Sequence, residues 1–269
     1  MKILVSQMKP YLGDVDKNLK KITESIEEGI KEKCDIVVFP ELALNGTLME
    51  DIVFDTAISE IPQTLFELSR KITIIFGAAG EENNRFFNCG YCLEDGKLLM
   101  KHKKIFLSNS NGESESKYFT RGKEIKTFRS RHGVFGIVLG EEGLNPMING
   151  ILGAQGAEVV FNLINESAAV KEEVSLYEAS AVNNSVYNKY FTVTVNRTGV
   201  EDGTTFTGNS FAVSPFGKII EKMEKFTEKL SIINVELKDV KRAYMASSFD
   251  KENNFEVIQK ELERVIKRG

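Results

Sequence analysis

The sequence predicts an α/β protein of layered sheets, and three observations carry that prediction. Short apolar runs rich in Val and Ile alternate with amphipathic helical stretches, a strand–helix–strand unit opens the chain, and antiparallel hairpins appear late. Hydrophobic residues make up 42% of the 269 positions, so core material is ample. The organising stretch is Val134 to Pro146, VFGIVLGEEGLNP. Five of the six residues from Val134 to Leu139 are apolar, the mark of a strand buried on both faces. It runs straight into Gly140-Glu141-Glu142-Gly143, and an α/β enzyme places reactive groups at such strand ends.

Each element follows from a local pattern. Lys2 to Gln7 reads as the first strand, with Gly13-Asp14 as a turn and Asp16 as a candidate helix cap. The next helix carries Leu19, Ile22, Ile26 and Ile30 on one stripe and leads into the strand Ile36 to Phe39. A crossover of that length implies parallel pairing. Pro40-Glu41 stops the strand. Ser59 to Lys71 has a second amphipathic pattern, Ile72 to Ala78 is a strand, and Phe86 to Ile105 is a hairpin turning at Asp95-Gly96. Residues 109–123 form a polar loop of a length that is often functional. Beyond Gly140, a helix over 146–155, a strand over 157–163, a helix over 174–188 and a strand over 190–196 continue the alternation. Thr198 to Asn209 reads as a Gly- and Thr-rich loop. The segments 210–214, 218–222 and 229–235 read as mutually antiparallel strands, and 251–267 as a charged terminal helix.

Composition excludes several classes. The formal net charge is −4 with both signs interleaved, so neither a nucleic-acid surface nor a membrane patch is expected. No apolar run approaches the roughly 18 residues of a spanning helix, and the N-terminus reads as a strand and not a signal peptide. Three cysteines give no disulfide framework, and a cytoplasmic protein is expected. Cys89-x-x-Cys92 lies inside a strand, where residues three apart face opposite ways, so both read as structural and no metal site is expected. One domain over residues 1–269 is expected, since no linker or repeat interrupts the pattern.

Three stretches end a strand on a charged or glycine residue: Glu41 in FPELALNG, Lys104 in KHKKIFL, and Gly140. Together they resemble the nitrilase, or carbon–nitrogen hydrolase, superfamily, and the resemblance extends over roughly residues 2 to 235. It implies a four-layer αββα sandwich, a homodimer paired through helices, and no cofactor. It implies roles as well: Glu41 as the base, Lys104 as the cation that stabilises the tetrahedral intermediate, and Glu115, ahead of Ser116-Lys117-Tyr118-Phe119, as the second glutamate. Glu141, Asn165 and Ser167 would line the ligand pocket. Asn196 with Gly199, and Phe206-x-Gly208-x-Ser210, fit the family's late pattern.

Gly140 stands where the family's nucleophilic Cys is expected, and Asn183 where a supporting Glu is expected. His102 and His132 lie outside the matched positions. The segments around Glu41 and after Gly140 look most like the glutaminase domain of glutamine-dependent NAD synthetases, but no Ser-Gly-Gly-x-Asp-Ser phosphate loop follows, so no synthetase domain is expected. The resemblance therefore implies a catalytically impaired member that binds a small amide, carboxylate or amino-acid-like ligand. Two alternatives stand beside it: an active amidohydrolase, with Gly140 an engineered replacement or another nucleophile in use, and a non-catalytic structural partner subunit. Lys104 should lower the pKa of Glu41 and burial should raise it.

Overall fold

The structure, a computed structural model, describes residues 1–108, 115–168, 175–247 and 255–268. The chain opens with β1 (Lys2–Gln7), α1 (Val15–Lys31) and β2 (Ile36–Val38), and β1 and β2 pair in parallel as the long crossover implied. The helix cap is Asp14, not Asp16. Its carboxylate accepts the Lys17 N–H at 3.1 Å, which leaves Asp16 in the first turn, where a negative charge favours the helix dipole.

A short 3-10 turn, Glu50–Ile52, runs into α2 (Val53–Thr56), neither of them foreseen. The helix expected over 59–71 shrinks to α3 (Gln63–Leu68). Pro62 disfavours helix before it, and the Ile58 backbone is instead bonded to the sheet, donating to Ala79 and accepting from Glu81, each at 2.9 Å. Then β3 (Thr73–Glu82), β4 (Arg85–Glu94) and β5 (Lys97–Lys103) form an antiparallel meander with left-handed residues at Asn83, Asn84, Asp95 and Gly96.

The second half adds α4 (Glu115–Tyr118), β6 (Phe128–Ser130), β7 (Gly133–Leu139), a 3-10 helix Gly140–Leu144, α5 (Pro146–Ala154), β8 (Val159–Ile164) and α6 (Leu176–Asn188). It continues with β9 (Phe191–Asn196), β10 (Thr198–Glu201), β11 (Thr204–Thr207), β12 (Phe211–Val213), β13 (Ile219–Lys222), β14 (Lys229–Asn234), α7 (Lys238–Ala246) and α8 (Phe255–Ile266). Residues 109–114 of the polar loop, Val174 and 251–254 lie outside the described residues.

Two expectations are corrected. Residues 198–209 are not a loop, because β10 and β11 pair antiparallel around Asp202-Gly203, both at positive φ. Nor do the last three strands pair together: β12 pairs β13, whereas β14 crosses to the other sheet and pairs antiparallel with β1. β14 thereby covers an edge of β1 that would otherwise offer unpaired backbone groups.

The strand orders are β14-β1-β2-β3-β4-β5 and β13-β12-β9-β8-β7-β6. Ile3, Val5, Val38 and Ile75 from the first sheet interdigitate with Phe135, Ile137, Phe161 and Val193 from the second, so the inner faces share one core. Outside the first sheet, Ile22 and Ile26 of α1 and Leu65 of α3 bury against Val37, Ile74 and Phe76. Ile148 and Leu152 of α5 and Ala181 of α6 cover the second sheet. The result is the layered αββα arrangement. Cys89 lies in the outer core and Cys92 in the inner one, each buried, which is the structural role expected. Among the described residues no helix is long and apolar enough to cross a membrane.

The chain after β2 crosses closely over β3. A Cβ on Gly77 would stand 2.5 Å from the Leu42 nitrogen, 2.6 Å from the Pro40 oxygen and 2.7 Å from the Glu41 Cα. Gly77→Ala should therefore destabilise the protein by about 1–3 kcal/mol in urea unfolding, because backbone and not a flexible side chain must move.

Candidate active site

Glu41 leaves β2 into a turn in which Leu42 sits at φ +50, an uncommon backbone for a non-glycine residue. Lys104 follows β5. Its N–H donates to the Asn88 carbonyl and its own carbonyl accepts from Gly122, both at 2.8 Å. Strand alternation separates it from its neighbours in the Lys-rich run: Lys101 and Lys103 pair with Glu82 near the surface, whereas Lys104 is buried. Its ammonium lies 2.8 Å from Glu41 Oε1 and 2.9 Å from Glu115 Oε2. Asn88 Nδ2 donates to Oε1 of both carboxylates, at 2.8 and 2.9 Å. Glu115 is fixed in turn by the Ser108 N–H, 2.6 Å from its Oε2.

Two carboxylates thus share one cation in a nearly dry site. Burial pushes Glu41 up to about 7, against the pull of Lys104 and with the repulsion of Glu115. Of the two opposing effects at Glu41, burial dominates. Burial disfavours the Lys104 charge too, but the two carboxylates outweigh it and hold its pKa above the ordinary value.

Gly140 begins the 3-10 helix at φ +51. A Cβ there would point into the cluster, 2.8 Å from Lys104 Nζ and 3.1 Å from Glu41 Oε2. That second oxygen of Glu41 is buried and has no hydrogen-bond partner among the described residues. Position 140 therefore faces the Glu41 carboxylate and the Lys104 ammonium.

The turn is held by Glu142, to which the sequence assigned no role. Its Oε1 accepts the Ile105 N–H at 2.6 Å, and its Oε2 accepts the Leu139 N–H at 2.9 Å and meets His102 Nε2 at 2.7 Å. Against its burial, His102 and the two backbone donors keep this carboxyl below the usual range. One side chain thus ties the end of β7 to the residue after Lys104. Asn149 and Asn184 donate to the carbonyl of Gly143, at 3.2 and 3.1 Å, while Asn183 is exposed.

The expected pocket residues divide. Glu141 is exposed and accepts from Ser108 Oγ at 3.2 Å, at the rim of the cluster. Asn165 and Ser167 are half-buried, and among the described residues no hydrogen bond joins either to Glu41, Lys104 or Glu115. Ser167 forms a backbone bridge with Phe206. Buried Asn196 fixes this segment, its Oδ1 accepting the Glu166 N–H at 3.0 Å and its Nδ2 donating to Gly208 at 2.7 Å. Arg197 pairs with Glu201, whose Oε1 accepts the N–H groups of Thr47 and Leu48 at 2.7 and 2.6 Å. The β10–β11 hairpin thereby steadies the chain beyond Glu41. Tyr177 was not foreseen. Burial, then the charges of Glu41, Glu141 and Glu166, push its phenol up against the pull of Lys104. Among the described residues no group of three or more His, Cys, Asp or Glu is arranged to hold a metal.

The family model for carbon–nitrogen hydrolases matches residues 2–245. The chain belongs to that family. It is 27% identical over 249 residues to a glutamine-dependent NAD(+) synthetase of Aquifex aeolicus, covering 90% of this chain and 43% of that protein. It is 25% identical to a nitrilase of Pyrococcus abyssi, covering 88% of this chain and 90% of the relative. The chain spans less than half the length of the NAD synthetases that it matches first, from 42% to 47%. Its fold is that of a carbon–nitrogen hydrolase from Helicobacter pylori (TM-score 0.83, 20% identity, 97% of this chain and 98% of the other). It also superposes on a glutamine-dependent NAD+ synthetase from Acinetobacter baumannii (TM-score 0.77, 23% identity, 86% of this chain and 44% of the other).

The shared cation sets the next expectation. Lys104→Met leaves two carboxylates facing each other in the interior and should cost about 3–5 kcal/mol in chemical denaturation. Glu41→Gln keeps the shape and one of the two charges, and should stay near the parent. The folded pKa of Glu41, about 7, lies above its ordinary 4.5, so its contribution is largest below 4.5 and is lost as pH rises through 7. Melting curves of Glu41→Gln should therefore fall less steeply than the parent's across that window.

Proposed function

We propose that this chain is a carbon–nitrogen hydrolase family member whose Glu–Lys–Glu site lacks the cysteine nucleophile and binds a small amide, carboxylate or amino-acid-like ligand without turning it over by the thiol route. The observation that carries this reading is the geometry at Gly140. The position that faces both Lys104 Nζ and Glu41 Oε2 bears no side chain. No other thiol can replace it, since Cys34, Cys89 and Cys92 are packed in the cores and burial raises all three, Cys89 to about 11. A ligand carbonyl or carboxylate oxygen would take a hydrogen bond from Lys104. A ligand N–H would satisfy Glu41 Oε2, whose orphaned state is costly in a dry site.

A second reading rests on that same oxygen. A carboxyl near pKa 7 with a free lone pair could remove a proton from water held above Gly140, so that water and not sulfur attacks the amide.

We also propose a homodimer. Met147 and Ile151 on the outer face of α5 are exposed, as are Ile258, Leu262 and Val265 on one stripe of α8, and a second copy would cover them. Light scattering should give twice the chain mass, and a monomer at micromolar concentration would refute the pairing.

Ammonia release from glutamine and a panel of simple amides tests the function. The protein as it stands should be silent and Gly140→Cys should hydrolyse at least one of the panel. The new Cβ must displace the Lys104 ammonium by a few tenths of an ångström, and the left-handed backbone adds strain, so a modest rate is expected. Turnover by the parent that Glu41→Gln abolishes would favour the water route and overturn the first reading.

A further inference from the structure

A cavity of about 590 Å³ lies along the edge strand β5, between that strand, the start of β4 and the extended segment 120–126. Its size is that of small-molecule pockets, which run from about 300 to 1,000 Å³. Its charge is unlike that of the rest of the molecule. Arg85, Lys101, Lys103, Arg121, Lys123 and Lys126 line it, opposed by Glu82 and Glu124 alone. Six cations less two carboxylates leave +4, in a chain whose formal net charge is −4.

The carboxylates answer half of these cations. Glu82 takes both Lys101 and Lys103, and Glu124 takes Lys126 at 2.5 Å. Arg85, Arg121 and Lys123 have no carboxylate partner among the described residues. These three exposed cations therefore line one concavity with no carboxylate set against them. Phe87, nearly buried, and half-buried Met100 supply apolar wall, and the Lys103 ammonium sits 4.1 Å from the Phe87 ring centroid. Cationic groups over a low-dielectric wall concentrate field within the cleft.

From this arrangement we infer that the cavity is a binding site for a small phosphorylated compound. The two guanidinium forks, of Arg85 and Arg121, match phosphate oxygens in pairs, Lys123 adds a point charge, and Phe87 and Met100 accept an apolar part of the ligand. The site is separate from the Glu41 cluster but mechanically close to it. His102 lines the cavity, and its Nε2 holds the Glu142 carboxylate that anchors the turn at Gly140. Gly122, also in the wall, donates its N–H to the Lys104 carbonyl, and a Cβ there would fall 2.0 Å from the Lys103 oxygen, so only glycine lets this wall lie so close to β5.

The chain has two histidines, so the His102 ring is a reporter that one variant, His132→Gln, assigns. Inorganic phosphate and pyrophosphate would be titrated into the whole protein at ionic strength matched with potassium chloride. Calorimetry and the proton–carbon spectrum of the histidine rings would be recorded together. Pyrophosphate should bind saturably and more tightly than phosphate, and should shift the His102 ring signals. The exposed pair Arg121→Glu with Lys123→Glu should weaken it by about tenfold or more while the melting temperature holds. Should that double variant unfold, Arg85→Gln, also at an exposed position, serves in its place. No saturable binding above the chloride control overturns the proposal. So does binding that leaves His102 unmoved, or binding that a folded charge variant retains.

Discussion

The structure depends most on one buried ammonium. Lys104 sits at the end of β5, nearly inaccessible, and its charge is tolerable there only because Glu41 and Glu115 lie within 3 Å on either side. Those carboxylates come from different parts of the chain, one after β2 and one from α4. Neither would accept burial alone, since an isolated charge in the interior costs far more than a surface one. The cation therefore fixes the relative position of three segments. Asn88, bonded to both carboxylates and through its carbonyl to the Lys104 N–H, makes the arrangement rigid. Burial, more than the pull of Lys104 can offset and with the repulsion of Glu115 added, is why the carboxyl of Glu41 titrates near neutrality.

A second carboxylate does comparable work by different means. Glu142 accepts two backbone N–H groups and faces His102, and these partners belong to β7, β5 and the residue after Lys104. It is a strut between two strand ends and not a reacting group. With Gly77 allowing the Glu41 turn to lie against β3, the three strand ends are brought to one place by packing constraints that involve no ligand.

Much of this was legible in the sequence, for stated reasons. Strands buried on both faces, such as 134–139, announce themselves by continuous apolar runs, and Glu41 and Gly140 were recognisable because each stands at the end of such a strand, whereas Lys104 was recognisable by its place after a hairpin and before Ile105-Phe106-Leu107. Glu115 was found through the residues after it. What the sequence hid depends on contacts between distant elements. His102 is one residue in a hairpin, and nothing local pairs it with Glu142, 40 positions away. Tyr177 opens an amphipathic helix as any aromatic residue might. The β10–β11 hairpin, whose Thr and Gly residues read as loop, is stabilised by Arg197, Glu201 and Asn196 more than by its own propensity. The pairing of β14 with β1 required knowing that β1 had an open edge. Local pattern specifies elements, and tertiary hydrogen bonds decide which of them meet.

The anchors around Gly140 explain how a site of this kind can keep its shape whatever side chain position 140 carries. Glu142 holds the turn from one side, and Asn149 and Asn184 hold it from the other. None of these bonds uses position 140, and the Lys104 triad is satisfied by its own carboxylates. At φ +51 a glycine is the residue with the least strain, whereas any side chain there carries a backbone cost of about a kilocalorie per mole or more. A reactive group at this position would be held in place against its conformational preference by anchors that do not need it. The framework is built by Lys104 and Glu142, so a reactive side chain placed at position 140 would add reactivity at the expense of stability without being needed to hold the site.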